Sequence, residues 1–206
     1  MRILVIMSLM KTNKFVILTE DISDFNTLKV LVRRILEKIS VMNPTIKPKY
    51  PTLGGCSHLR NKAKKWIEME SANGFNIAIL VHDLDRDKTR NTLLDESRLF
   101  ETLEAIKIPS KVTRHICIPV EELEAWFFAD DNLLKKKLGV TKVQRCLNPH
   151  LIDCPKEKLK QLFYKAGQIH TTKKNENLAD ELDIELCSKR CPAFRNLVKF
   201  LHELYQ

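Results

Sequence analysis

Residues 75–81, Phe-Asn-Ile-Ala-Ile-Leu-Val, are apolar everywhere but Asn76 and stop at the polar run His82-Asp83-Leu84-Asp85-Arg86-Asp87. A run this short falls far below the roughly 18 to 20 apolar residues of a membrane span. Its lack of polar alternation marks a strand buried on both faces. Strands of that kind belong to parallel sheets, whose crossover connections place helices over both faces.

The flanking sequence supplies those partners. Phe15-Val16-Ile17-Leu18 reads as a second buried strand and Val112 to Ile118 as a third, while Pro44, Pro48 and Pro51 confine the weaker strand Thr45 to Tyr50 to an edge. From a cap at Asp24, the residues Phe25, Leu28, Leu31, Val32, Ile35, Leu36 and Ile39 recur at helical spacing. Gly54-Gly55 makes a turn into a helix capped by Ser57 and running to about Glu70. A polar loop and a helix over about Leu94 to Ile106 lead to the third strand. This alternation predicts an α/β fold with a parallel sheet flanked by helices.

Glu121 to Phe128 reads as a short helix with Leu123, Trp126 and Phe127 inward, and beyond Asp130 the chain reads as short helices. The last of them carries Phe194, Leu197, Val198, Leu201 and Leu204 on one face after Pro192. We therefore expect an α/β core over residues 1–130 and a basic α-helical C-terminal extension over 131–206 that packs on it. With 44% hydrophobic and 30% charged residues and only five Gly, the composition excludes a disordered or collagen-like chain. No segment has the length of a membrane span. Met1 to Met10 has no small-residue cleavage site before Lys11 and Lys14, so it is read as an extra edge strand or as residues ahead of a true start at Met7 or Met10. Six scattered Cys without a secretory leader imply free thiols in a reducing cytoplasm.

Lys plus Arg number 35 against 26 Asp plus Glu, a net charge of +9, with the larger excess after residue 130. A surface of that sign attracts polyanions, and nucleic acid is the expected partner. The basic helices around Arg33 and Lys62 and the run Lys135 to Lys137 either track a phosphate backbone or are ordinary solvated faces. Their exposure is compatible with a homodimer cradling a duplex.

Acidic groups sit where the core strands end: Glu20 after the first, Asp83 and Asp85 after the central one, and Glu121, Glu122 and Glu124 after the third. In open parallel sheets, ligand sites collect beyond the carboxyl ends of strands, so these segments converge. Asp83 and Asp85, two apart in extended backbone, aim to one side and each offer an oxygen to a hard divalent cation. Crowded carboxylates raise one another's pKa unless a cation neutralises them. Mg²⁺ or Mn²⁺ answers that need, and two such ions about 4 Å apart suit in-line phosphodiester cleavage.

At these residues the sequence resembles Toprim (topoisomerase-primase) domains. Thr19-Glu20-Asp21-Ile22-Ser23-Asp24 is similar to their Glu-Gly-x-Ser-Asp motif, His82-Asp83-Leu84-Asp85-Arg86-Asp87 to their Asp-x-Asp motif, and Glu122-Leu123-Glu124 to the acidic-Leu-Glu element of Toprim nucleases of the overcoming-lysogenization-defect type. The wording Glu-Leu-Glu-Ala-Trp-Phe, with Gly54-Gly55, looks closest to a small Toprim-like bacterial family often encoded beside ATPases in phage-defence loci. The resemblance implies a Toprim-like fold and a Mg²⁺- or Mn²⁺-dependent endonuclease acting on DNA or RNA with an ATPase partner. It implies metal ligation by Glu20, Asp83, Asp85, Glu122 and Glu124, with Glu20 also an acid or base. A catalytic cation is expected among the tail lysines, with Lys165, Lys173 and Lys174 as candidates. Asp21 stands where those domains have Gly, which calls for a left-handed Asp or a different loop.

Competing readings are weaker. Cys146, His150, Cys154, His170, Cys187 and Cys191 lack zinc-site spacing, and neither Cys56 with His58 nor Cys117 with His115 has a third member for nucleophilic catalysis. Gly54-Gly55-Cys56-Ser57 lacks the ending of a P-loop. The main alternative is a non-catalytic module that uses the acidic pocket to bind nucleic acid or a partner; nucleotidyl transfer ranks behind it.

Overall fold

The structure, a computed structural model, describes residues 13–52, 55–87, 89 and 92–206. The strand or early start expected within the first ten residues and the turn at Gly54 lie outside them. The chain runs β1 (Lys14–Leu18), α1 (Ile22–Lys38), β2 (Thr45–Lys49), α2 (Gly55–Ala72), β3 (Ile77–Val81), β4 (Arg86–Asp87), β5 (Thr92–Leu93), α3 (Glu96–Glu104) and β6 (Thr113–Cys117). A 3₁₀ helix (Leu123–Ala129), α4 (Asp131–Leu138), a 3₁₀ turn (Pro149–Leu151), α5 (Pro155–Lys165), α6 (Thr172–Glu181), α7 (Ile184–Arg190) and α8 (Pro192–Glu203) follow.

The main sheet has the order β2-β1-β3-β6 and is parallel throughout, so the expected α/β class holds. Alternate residues divide between its faces. Phe15, Ile17, Ile77 and Ile79 belong to one apolar cluster with α1, whereas Val16, Leu18, Ala78 and Leu80 belong to another with Leu59, Ala63, Ile67 and Leu103 of α2 and α3. Each fully buried Ile, Leu or Phe contributes about 1.5–3 kcal/mol relative to exposure. The chain moves from β1 outward to β2, then crosses back past β1 to β3 and β6, so its direction reverses between β1 and β3. β2 takes the edge, with Pro48 opposite Ile17, as its prolines require.

Two caps differ from the sequence reading. Asp21, not Asp24, caps α1: its Oδ1 accepts from the Ser23 and Asp24 amides at 2.7 and 3.0 Å. Its φ of −146° is extended, so no left-handed aspartate is needed where the resemblance placed Gly. α2 starts at Gly55, which leaves Ser57 within the helix instead of at its cap. The segment read as a polar loop holds the short antiparallel pair β4–β5.

The apolar cluster of α1 continues without a break into Leu134, Leu159, Phe163, Leu178, Phe194, Leu197 and Leu201 of the C-terminal helices. Arginine ties that region down at helix ends. Arg34 of α1 donates from Nη1 to the Ala179 and Leu182 carbonyls at 2.6 and 2.8 Å, and Arg190 to those of Ala129 and Cys146 at 2.6 and 3.2 Å. The Ala129, Ala179 and Leu182 carbonyls stand at helix ends and have no partner within the helix, so the guanidinium bonds to them fill a real vacancy, while Cys146 lies in the connection after α4. Replacing Arg34 with Ala is expected to lower stability by about 1–3 kcal/mol. Exposed Arg33→Ala should stay within about 0.5 kcal/mol of wild type, and urea denaturation checks both.

Candidate active site

Beyond their last paired residues, β3 and β6 remain laced together. The His82 amide donates to Cys117 O at 3.1 Å, Leu84 to Pro119 O at 2.8 Å, and Glu121 to Leu84 O at 3.1 Å. This ladder fixes the loop carrying Asp83 against the segment carrying Glu121, Glu122 and Glu124. On its other side β3 pairs with β1, and the Asp83 amide donates to Glu20 Oε1 at 3.3 Å. Glu20 and Asp83 thus flank the point where the chain's direction reverses, the usual ligand crevice of an open parallel sheet.

Each carboxylate has its own support. Glu124 is buried, and its Oε1 accepts from Nδ2 of buried Asn175 on α6 at 2.9 Å. Because that amide nitrogen faces Glu124, Asn175 Oδ1 is left to accept from His170 Nε2 at 2.7 Å. Glu122 Oε2 accepts the Lys156 amide at 2.8 Å, in the first turn of α5. Glu121 is committed elsewhere: its oxygens accept from Arg86 Nε and the Cys154 amide, both at 2.6 Å. Both Glu121 (φ 60°) and Cys154 (φ 48°) occupy the left-handed region, and the bond between them helps hold that strain.

Buried His82 joins the site to α2. Arg60 can only donate and a carbonyl can only accept, so the contacts Arg60 Nη1 to His82 Nε2 (2.9 Å) and His82 Nδ1 to Asp83 O (2.8 Å) select the Nδ1–H tautomer. That pair steadies the Asp83 backbone. His82 Nδ1 also lies 3.8 Å from Glu20 Oε1.

The electrostatics show how crowded the negative charge is. Burial, reinforced by Asp24, Glu20, Glu124 and Glu122, holds the Asp83 carboxyl well above the usual range. Burial together with Asp21, Glu124 and Glu20, and against the pull of Lys156, pushes Asp24 up to about 8. Glu122 is raised by burial and by Glu124 and Glu157, with the Lys156 amide and charge opposing. Burial works against the charged form of Lys156, yet Glu124, Asp24, Asp21 and Glu122 raise its pKa above that of an ordinary lysine.

Glu20, Asp83, Glu122 and Glu124 therefore come together, and two further members join them that sequence reasoning did not single out. Asp24 was assigned to a cap, although it stands in the same Ser-Asp motif as Glu20. Lys156 was one of many lysines. Asn175 had no signal at all. Asp85 is exposed and shares with Asp83 the wall of a cavity of about 580 Å³ that also touches Arg60 and Arg98. Lys165 is exposed on a different cavity beside Phe128 and Lys158. Lys173 pairs with Glu176 at 2.8 Å, and Lys174 lies over the Phe163 ring. Burial, with Asp83 nearby, pushes the Cys117 thiol up, which disfavours the thiolate a nucleophile would need.

The donors at the cluster are hard carboxylate oxygens in excess of the single lysine, which suits Mg²⁺ or Mn²⁺. Among the described residues no three His, Cys, Asp or Glu side chains form a ready-made metal group. Among the same residues no helix is long and apolar enough to cross a membrane.

A family model described as Domain of unknown function (DUF4276) matches residues 19–202, and the chain belongs to that family. No curated protein and no solved structure matches it.

Protonation and stability are linked through Asp24. Its pKa is 3.8 ordinarily and about 8 in the fold, so over that interval the folded chain binds the proton more tightly than the unfolded one. Its contribution is therefore full below the lower value and is lost as pH rises toward the upper one. His115 and His170, both lowered mainly by burial, act in the opposite direction, since the folded chain holds their protons more weakly than the unfolded one. In EDTA the urea midpoint should fall from pH 7 to pH 8, and Asp24→Asn should flatten that fall; parallel profiles for the two proteins would contradict the linkage.

Proposed function

We propose that this DUF4276 protein is a Mg²⁺- or Mn²⁺-dependent nuclease of the Toprim type that hydrolyses phosphodiester bonds in DNA or RNA. The observation that carries this reading is the convergence of mutually repelling carboxylates beyond the ends of three parallel strands, with one lysine among them. Glu20, Asp83 and Asp85, with Glu122 and Glu124, are the residues that would hold the ion. Once bound, the ion offsets phosphate charge and polarises the scissile linkage.

The chain's own groups supply the rest. Glu20 accepts a proton from the water whose oxygen bonds to phosphorus, while the bond from phosphorus to the leaving sugar oxygen breaks and that oxygen takes a proton from solvent. Lys156 takes the place expected of Lys165, because its charge faces the carboxylates and can stabilise charge that develops on the phosphate. Arg60 and His82 fix the Asp83 backbone, and Asn175 with His170 orients Glu124. The resemblance to Toprim-like defence families adds a cytoplasmic setting, an ATPase partner for target sensing and a role as the cutting component of a phage-defence system.

One observation favours a second reading. Lys156 already offsets part of the acidic charge, and no ready-made metal group occurs among the described residues, as suits a non-catalytic pocket that docks nucleic acid or a partner. A gel assay with plasmid, single-stranded DNA and total RNA separates the two. The nuclease reading predicts cutting in Mg²⁺ or Mn²⁺, none in EDTA, and a loss of at least about 100-fold in Asp83→Asn and Lys156→Ala. Cutting that survives EDTA or Asp83→Asn contradicts it.

A further inference from the structure

Helix α5 presents three faces. Lys156 turns toward the carboxylates and Leu159 and Phe163 enter the core, while Lys158, Gln161, Leu162 and Lys165, at helical spacings of three and four, line a separate cavity of about 320 Å³. The rest of the lining is Phe128, at the end of the 3₁₀ helix that carries Glu124, together with Val143, Gln144, Arg145, Cys146 and Ile152. The volume is that of a small-ligand site.

The lining is chemically selective. It contains Arg145, Lys158 and Lys165 and no acidic residue. None of the three cations forms an ion pair among the described residues, although most neighbouring lysines do: Lys160 pairs with Glu157, Lys135 with Asp131, and Lys136 and Lys137 with Glu181. The same lining includes the apolar side chains of Phe128, Ile152 and Leu162, and the amides of Gln144 and Gln161 each offer a donor and an acceptor. A bare inorganic anion uses the cations and wastes the apolar surface, and an aliphatic chain wastes the amides. A flat heterocycle attached to a phosphate uses all three.

We propose that this cavity binds a nucleoside phosphate, its phosphate held by Lys158, Lys165 and Arg145 and its base laid on the Phe128–Leu162 surface within reach of Gln144 and Gln161. The ligand is either a free nucleotide or the phosphorylated end of a strand, and the site does not depend on the carboxylate cluster being catalytic.

Isothermal titration calorimetry of the full chain in EDTA tests this, with AMP, CMP, adenosine and inorganic phosphate, and with a pentanucleotide with or without a 5′-phosphate. A nucleoside monophosphate or the 5′-phosphorylated strand should bind saturably, and adenosine and phosphate should each bind at least about tenfold more weakly. The double variant Lys158→Ala/Lys165→Ala, both positions exposed, should weaken binding by at least about tenfold with an unchanged circular dichroism spectrum. Asp83→Asn should bind like wild type, which separates this site from the carboxylate cluster. Binding of the monophosphates alone assigns a free nucleotide, and binding of the phosphorylated pentanucleotide alone assigns a strand end. Absence of saturable binding by either, equal binding by the double lysine variant, loss in Asp83→Asn, or phosphate binding as tightly as AMP overturns the proposal.

Discussion

Leu18 faces Leu80 in the parallel pairing of β1 with β3, and the two chains leave the sheet side by side at Glu20 and Asp83. The cost of bringing those carboxylates together grows as water is excluded, and Asp24, Glu122 and Glu124 add to it. Much of the remaining structure counters that cost. The β3–β6 ladder holds the Asp83 loop in place and Lys156 brings a positive charge, whereas Asp21, by taking the capping role, leaves Asp24 to add to the crowding. Crowding of this kind is unfavourable for folding alone, which is why functional sites are where it is usually found.

The C-terminal helices complete the site as well as cover the sheet. Glu124 is oriented by Asn175 from α6, and α5 delivers Lys156 while its amide meets Glu122. Glu121, gripped by Arg86 and the Cys154 amide, anchors the start of the same region, and Arg86 extends to Asp153 at 2.7 Å. Sheet, 3₁₀ helix and C-terminal helices therefore share one apolar cluster and one set of charges, so a change in the tail reaches the carboxylates directly.

The sheet was legible because unbroken apolar runs such as Ile77 to Val81 leave few alternatives, and prolines put β2 at the edge. Strand ends were legible for the same reason, and they placed Glu20 and Asp83. Asp24 was misread as a cap because Asp21 and Asp24 both suit a helix start, and only backbone geometry tells which side chain turns back onto the first amides. Lys156 could not be told from its neighbours without knowing which face of α5 meets the sheet. Asn175 lies in the polar stretch Lys173 to Asn177, where nothing marks a buried amide. Strands of two residues, as in β4 and β5, carry too little periodicity to register.

The proposed nuclease activity requires a divalent cation in the space that the carboxylates share. Crystals soaked in Mn²⁺ and measured near the manganese absorption edge test this directly. A metal-dependent nuclease should give an anomalous peak within coordination distance of Glu20 and Asp83, with Lys156 beside it and not in its place. A difference map with no peak there, and the Lys156 ammonium seated between the carboxylates, would contradict it.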